Sequence, residues 1–160
     1  MRLKNEAFHK KVIRDVFAEL SRQKIDLYLI LTSESADPIT SFLPGVDTVG
    51  AGAFLFTKEG RAYAFSSSID SGDIVDSGLF DRVVIYRDYD AELAAFVKEL
   101  APARIALDFS ENDPLCDGLT MGRYRKFVQS LDGMDFEEIS SDRFIPAVRT
   151  LNLSDEGTAL

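Results

Sequence analysis

The segment LYLILT, residues 27–32, constrains this chain more than any other. It is an almost unbroken apolar run of strand length. A strand of that kind has no face to give to water, so it must be covered on both sides, as in a layered α/β sheet. The preceding segment supplies one cover. Phe8, Val12, Ile13, Val16, Phe17 and Leu20 recur at three- and four-residue spacing with Lys10, Lys11, Arg14, Asp15 and Glu19 between them, which predicts an amphipathic helix. QKID then breaks the pattern.

The rest of the chain alternates in the same way. SESADPITSFLPG reads as a loop with one short helical turn around Ile39 to Phe42, closed by Pro44 and Gly45. AGAFLFT and RAYAFS are strands separated by KEG, a short glycine-containing hairpin connection. Ile69, Ile74 and Val75 suggest a weakly amphipathic helix in SSSIDSGDIVDSG, with Gly72 against it. RVVIYR reads as a buried strand. DYDAELAAFVKEL is a helix with Leu93, Phe96, Val97 and Leu100 on one face, stopped by Pro102. RIALDF is a further strand, and Leu115, Leu119, Phe127, Val128 and Leu131 predict a helix from Pro114 to Leu131. MDFEEI reads as a short edge strand, and SSDRFIPAVRTL as a last helix with Pro146 near its start. This order predicts one α/β domain, and the hairpin forces an antiparallel pair into its sheet.

Charge and composition exclude several functions. The chain has 160 residues, 27 acids against 18 bases and a net charge of −9. That balance disfavours nucleic acid and anionic membrane as partners, since both are met by clustered Lys and Arg. Cys116 is the single cysteine, so no intramolecular disulfide forms. No apolar run approaches the ~20 residues of a membrane span, and MRLKNEAFHKK has no apolar stretch of signal-peptide length. The expected location is the cytoplasm.

No motif assigns a catalytic or metal-binding residue. His9, the only histidine, lies beside Lys10 and Lys11 on the first helix and reads as a plain surface residue. Ser66, Ser67 and Ser68 lack a GxSxG elbow, and a triad would have to recruit the distant His9. Gly45, Gly50 and Gly52 lack phosphate-loop spacing and read as turn and strand-entry residues. Asp108, Glu111, Asp113 and Asp117 cluster in LDFSENDPLCDG. Carboxylates after a strand can hold Mg²⁺ or Mn²⁺ and serve a metal-dependent hydrolase. The structural alternative is favoured: Asp108 ends the strand, Ser110 or Asn112 caps a turn, and Asp113 caps a helix opening at Pro114.

The chain closes on TLNLSDEGTAL. Ser154 suits a helix N-cap, and Asp155 and Glu156 suit a first helical turn. A helix beginning at about 155 is too short to stand alone. The expected division is residues 1–152 as one domain and 153–160 as the linker and first helix of a further, C-terminal domain.

Taken in order, these segments resemble the N-terminal domain of the creatinase/prolidase family, whose members include Xaa-Pro dipeptidase and aminopeptidase P. The resemblance runs from about Phe8 to Leu160. KIDLYLILT is similar to the family's G-L-D-A-L-L-I-T. DPITSFLPG is similar to N-I-R-Y-L-T-G-F or D-P-N-F-Y-Y-L-T-G, with Phe42 at the aromatic position and Gly45 at the glycine. AGAFLFTKEGRAYAFSSS matches the strand, turn and strand. FIPAVRTLNLSDEGTAL is similar to I-R-x-L-R-x-I-K-S-P-x-E-I-A-x-I, with Arg149, Leu151 and Glu156 at the arginine, apolar and glutamate positions. Asn152 stands in place of lysine, Leu153-Ser154 in place of Ser-Pro, and Ser67, Ser68 and Ile69 where many members read D-S-R-Y. The resemblance therefore does not choose among dipeptidase, aminopeptidase, creatinase-type amidinohydrolase and inactive relative.

The resemblance implies a three-layer α/β/α fold with a mixed, ribonuclease-H-like sheet. It implies a non-catalytic domain without a cofactor of its own. The parent protein would hold two divalent metal ions, Mn or Co, in a C-terminal catalytic domain. The implied partners are that domain, a second subunit of a homodimer, and proline-containing peptides reached through the parent enzyme. The N-terminal domain would serve dimerisation and cover the neighbouring active site. The loop from Asp37 to Gly50 is then the expected partner or substrate-channel surface, with Phe42, Leu43, Val46 and Val49 as its apolar contacts, or alternatively packed into the domain's own core. A second reading is a stand-alone interaction or small-ligand-binding module with the same fold.

Overall fold

The computed structural model describes residues 6–159, with side chains described as far as 153. The first helix, α1 (Glu6–Gln23), ends where Lys24 turns left-handed at φ 58° and Ile25 N–H returns to the Leu20 carbonyl. The LYLILT segment follows as β1 (Leu27–Ser33), then β2 (Ala51–Thr57) and β3 (Ala62–Ser66) as a hairpin. The order continues with α2 (Ser71–Asp76), β4 (Arg82–Ile85), α3 (Tyr89–Leu100), β5 (Arg104–Leu107), α4 (Met121–Ser130), β6 (Glu137–Ser140) and α5 (Ile145–Ala159).

The six strands form one mixed sheet in the order β4-β3-β2-β1-β5-β6. β2 is antiparallel to both β1 and β3, whereas β4, β5 and β6 join their neighbours in parallel. Side chains alternate across the sheet as the pleat requires. Tyr28, Ile30, Phe54 and Phe56 face Val12, Val16 and Leu20 of α1 and Val148 of α5. Leu27, Leu29, Leu31 and Leu55 face Leu93 and Val97 of α3 and Phe127 of α4. The three-layer α/β/α expectation holds, and β1 lies in the interior because both of its faces are apolar.

Three local expectations are corrected. RVVIYR is not buried: β4 is a sheet edge, and Arg82 and Ile85 are exposed. The helix predicted from Pro114 is broken into a 3₁₀ turn, Pro114–Cys116, and α4. Between them Gly118 presses on the loop after β1, where a Cβ would lie 2.1 Å from Asp37 Oδ1. Leu119 N–H is taken by the Asp108 carbonyl, so the backbone there cannot continue a helix. Finally, Ser154 opens no new helix. α5 runs through it, anchored by buried Val148 and by Asn152. The Asn152 amide donates to Asp15 Oδ2 at 2.9 Å and accepts from Lys11 Nζ at 2.9 Å, tying α5 to α1. Tertiary packing thus carries the helix past a residue that would favour a cap on propensity alone.

Candidate functional site

The loop after β1 is built inward. Asp37 Oδ1 accepts from Ile39 N–H at 3.1 Å and caps a 3₁₀ turn, Pro38–Ser41. That turn delivers Ile39, Phe42 and Leu43 to the α1 side of the core. Gly45 adopts φ 83°, and a Cβ there would lie 2.3 Å from the His9 ring. His9 is therefore half-buried against this loop rather than a plain surface residue. Its Nδ1 donates to the Phe42 carbonyl at 3.1 Å, and burial lowers its pKa, favouring the neutral ring.

Phe42, Leu43 and Val46 are buried and pack into this chain's own core, the alternative the sequence left open. The loop crosses the end of the α1 layer, and these are the side chains that close it. Val49 alone of the four is exposed, at 65%.

Val49 sits on a rigid mount. Asp70, 6% exposed, accepts from Val49 N–H and Gly50 N–H, each at 2.9 Å, and from Ser67 Oγ at 2.9 Å. A Cβ at Gly50 would lie 2.9 Å from Ser67 Cβ, so the two loops meet at close approach. Just beyond, Tyr86 Oη donates to the Ala51 carbonyl at 2.7 Å and Tyr89 Oη to the Gly52 carbonyl at 2.9 Å. The result is a fixed corner carrying two exposed apolar residues, Val49 and Ile69, the latter 76% exposed.

A second constellation lies inside the molecule. Asp108, at the carboxyl end of β5, and Asp37, after β1, are 1% and 0% exposed. Tyr28 Oη donates to Asp108 Oδ1 at 2.7 Å. Asp37 Oδ2, Asp108 Oδ2 and Ser141 Oγ find no ordinary hydrogen-bond partner. The two carboxyls interact directly, and Ser141 lies beside Asp108. One proton held between the carboxyls turns one of these oxygens into a donor and satisfies the pair. Burial, followed by the bond to Asp37 and its charge, pushes Asp108 well above the usual carboxylate range. Burial raises Asp37 as well. Burial pushes the neighbouring Cys116 thiol up to about 12. Carboxyls sharing a proton can serve acid–base catalysis, but this pair is sealed from solvent and Gly118 fills the approach to Asp37. It is a structural element.

No family model matches the chain, and no curated protein matches it. Solved structures do. A prolidase from Pyrococcus horikoshii OT3 superposes with a TM-score of 0.61 at 14% identity, over 88% of this chain and 34% of that one. An Xaa-Pro aminopeptidase structure from Streptococcus pyogenes gives 0.65 at 14% identity, over 89% of this chain and 98% of that one. The N-terminal domain of the cytoplasmic peptidase PepQ from Mycobacterium tuberculosis H37Rv gives 0.59 at 17% identity, over 89% and 98%. The chain has the N-terminal domain fold of the Xaa-Pro peptidases. It spans about a third of the prolidase.

Within this Xaa-Pro peptidase N-terminal fold, the acidic segment behaves structurally. Asp113 Oδ1 accepts from Leu115 N–H at 3.0 Å and caps the turn at Pro114. Ser110 Oγ accepts from Asn112 N–H at 3.1 Å, and Asp117 Oδ1 accepts from Ser110 N–H at 3.0 Å. Among the described residues no group of three or more His, Cys, Asp or Glu is placed to hold a metal ion. No described helix is long and apolar enough to cross a membrane. Asp70 and the pairing of Asp37 with Asp108 carry no local signal.

Proposed function

We propose that this chain is the non-catalytic N-terminal domain of a metal-dependent Xaa-Pro dipeptidase or aminopeptidase, serving dimerisation and covering an active site built elsewhere. One observation carries the reading. Nearly nine-tenths of this chain, 89% and 88% of it, matches 98% of the PepQ N-terminal domain structure but only 34% of the Pyrococcus horikoshii prolidase. The divalent ions, Mn or Co, belong to a C-terminal catalytic domain. The donor set described here does not fit them, so no step of metal chemistry is assigned to this chain. Val49 and Ile69, fixed by Asp70, are the surface offered to the second subunit and to the entrance for proline-containing peptides.

The test is twofold. The chain alone, supplied with Mn²⁺ and an Xaa-Pro dipeptide, is expected to release no proline. Hydrolysis abolished by a chelator would refute the proposal. The native reading frame is expected to run on into a domain with two aspartates, a histidine and two glutamates as metal ligands. A stop codon after Leu160 would favour the second reading, a stand-alone interaction or small-ligand module. That reading draws its support from the cavity described next.

A further inference from the structure

A cavity of about 410 Å³ opens between α3 and α4, over the end of β1 and the start of β2. This is the size of ordinary small-molecule sites, roughly 300–1,000 Å³. Its apolar lining comes from Leu31, Leu93 and Phe127. Its polar lining includes Tyr89, Asp90, Arg123 and Lys126. Tyr89 is pinned by its bond to the Gly52 carbonyl, and the Arg123 guanidinium lies over its ring, 5.5 Å from the centroid. Lys126 Nζ is 3.4 Å from Asp90 Oδ2.

Arg123 differs from the comparably half-buried Arg104. Arg104 donates to Glu137 at 2.7 Å and to the Gln23 and Lys24 carbonyls. Arg123 has no carboxylate at ion-pair distance among the described residues, although the chain carries a net charge of −9. Two cations and one carboxylate leave the lining one charge positive. A guanidinium fork fits the two oxygens of a carboxylate, and a doubly charged phosphate would be opposed by Asp90.

We propose that this groove binds a small molecule bearing one carboxylate on an apolar body, with the carboxylate at Arg123 and the body on Leu31, Leu93 and Phe127. The proposal holds whether the chain belongs to a peptidase or stands alone. The test is an amide NMR titration of the whole chain with 3-phenylpropionate, against 3-phenylpropanol as the neutral isostere. Saturable shifts are expected along α3 and α4, with the alcohol bound roughly tenfold or more weakly. Arg123→Gln is expected to weaken the acid by a similar factor and leave the alcohol unchanged. Lys126→Gln changes less, because its charge is already paired with Asp90. An unaltered spectrum away from the groove verifies that the variants fold. Absence of saturable shifts at α3 and α4, equal binding of acid and alcohol, or an Arg123→Gln variant as good as the parent would each overturn the proposal.

Discussion

Asp70 and the Asp37–Asp108 pair are buried to a similar degree and solve the same problem in opposite ways. Asp70 is met by two backbone N–H groups and a serine hydroxyl, all at 2.9 Å. Its oxygens are supplied by dipoles from two loops, and in return it fixes those loops. Asp37 and Asp108 have fewer donors, Ile39 N–H on one and Tyr28 Oη on the other, and must complete their bonding with each other. Burial of an acid therefore does not by itself say whether it stabilises. The supply of donors decides.

The sharpest way to break this comparison is Asp70→Ala. It strands the Val49 and Gly50 N–H groups and Ser67, and the expected loss is about 3 kcal/mol in urea unfolding. A loss below about 1 kcal/mol would mean that water replaces the carboxylate freely. Next in size is Gly118→Ala. Its Cβ collides with Asp37, and overpacking of this kind costs about 2 kcal/mol. A neutral result would show that the seal over the acid pair is soft.

Asp108→Asn moves stability in the other direction. An unfolded aspartate titrates near ~3.9, and the folded Asp108 titrates well above that value. The folded state therefore holds more protons between the two values. Stability is greatest below the unfolded value and falls as pH rises toward the folded one. An asparagine amide donates to Asp37 at every pH while its carbonyl still accepts from Tyr28. The variant is expected to be more stable than the parent by about 1–2 kcal/mol at neutral pH, with the gain vanishing near pH ~4. Melting curves across that range that show no convergence would exclude a shared proton. The smallest effect on stability belongs to Val49→Asp, within about 0.5 kcal/mol because the side chain is exposed. Under the proposed function it weakens association with the second subunit, measured by sedimentation equilibrium of the full-length parent.

Much of the architecture was legible in the chain. Every predicted strand is present, because alternation and apolar runs record burial residue by residue. Asp113 was readable as a cap because Pro114 follows it directly. The misreadings share a cause. RVVIYR looks like a central strand, yet what makes β4 an edge is that no further strand lies beyond it. Phe42, Leu43 and Val46 look like an exposed apolar loop until α1 is placed over them. Ser154 looks like a cap until Asn152 is seen bound to Asp15 and Lys11.

The sequence by itself determined the α/β layering and the helix–strand order, because both follow from periodicities only a few residues long. It also determined the net charge of −9, because net charge is a sum over composition. Only the tertiary structure decided which acids meet, what Arg123 faces and which apolar residues remain outside. Tyr28 and Asp108 lie 80 residues apart. Their contact exists because β5 pairs with β1 in parallel, and no local pattern encodes the neighbour that a folded sheet will supply.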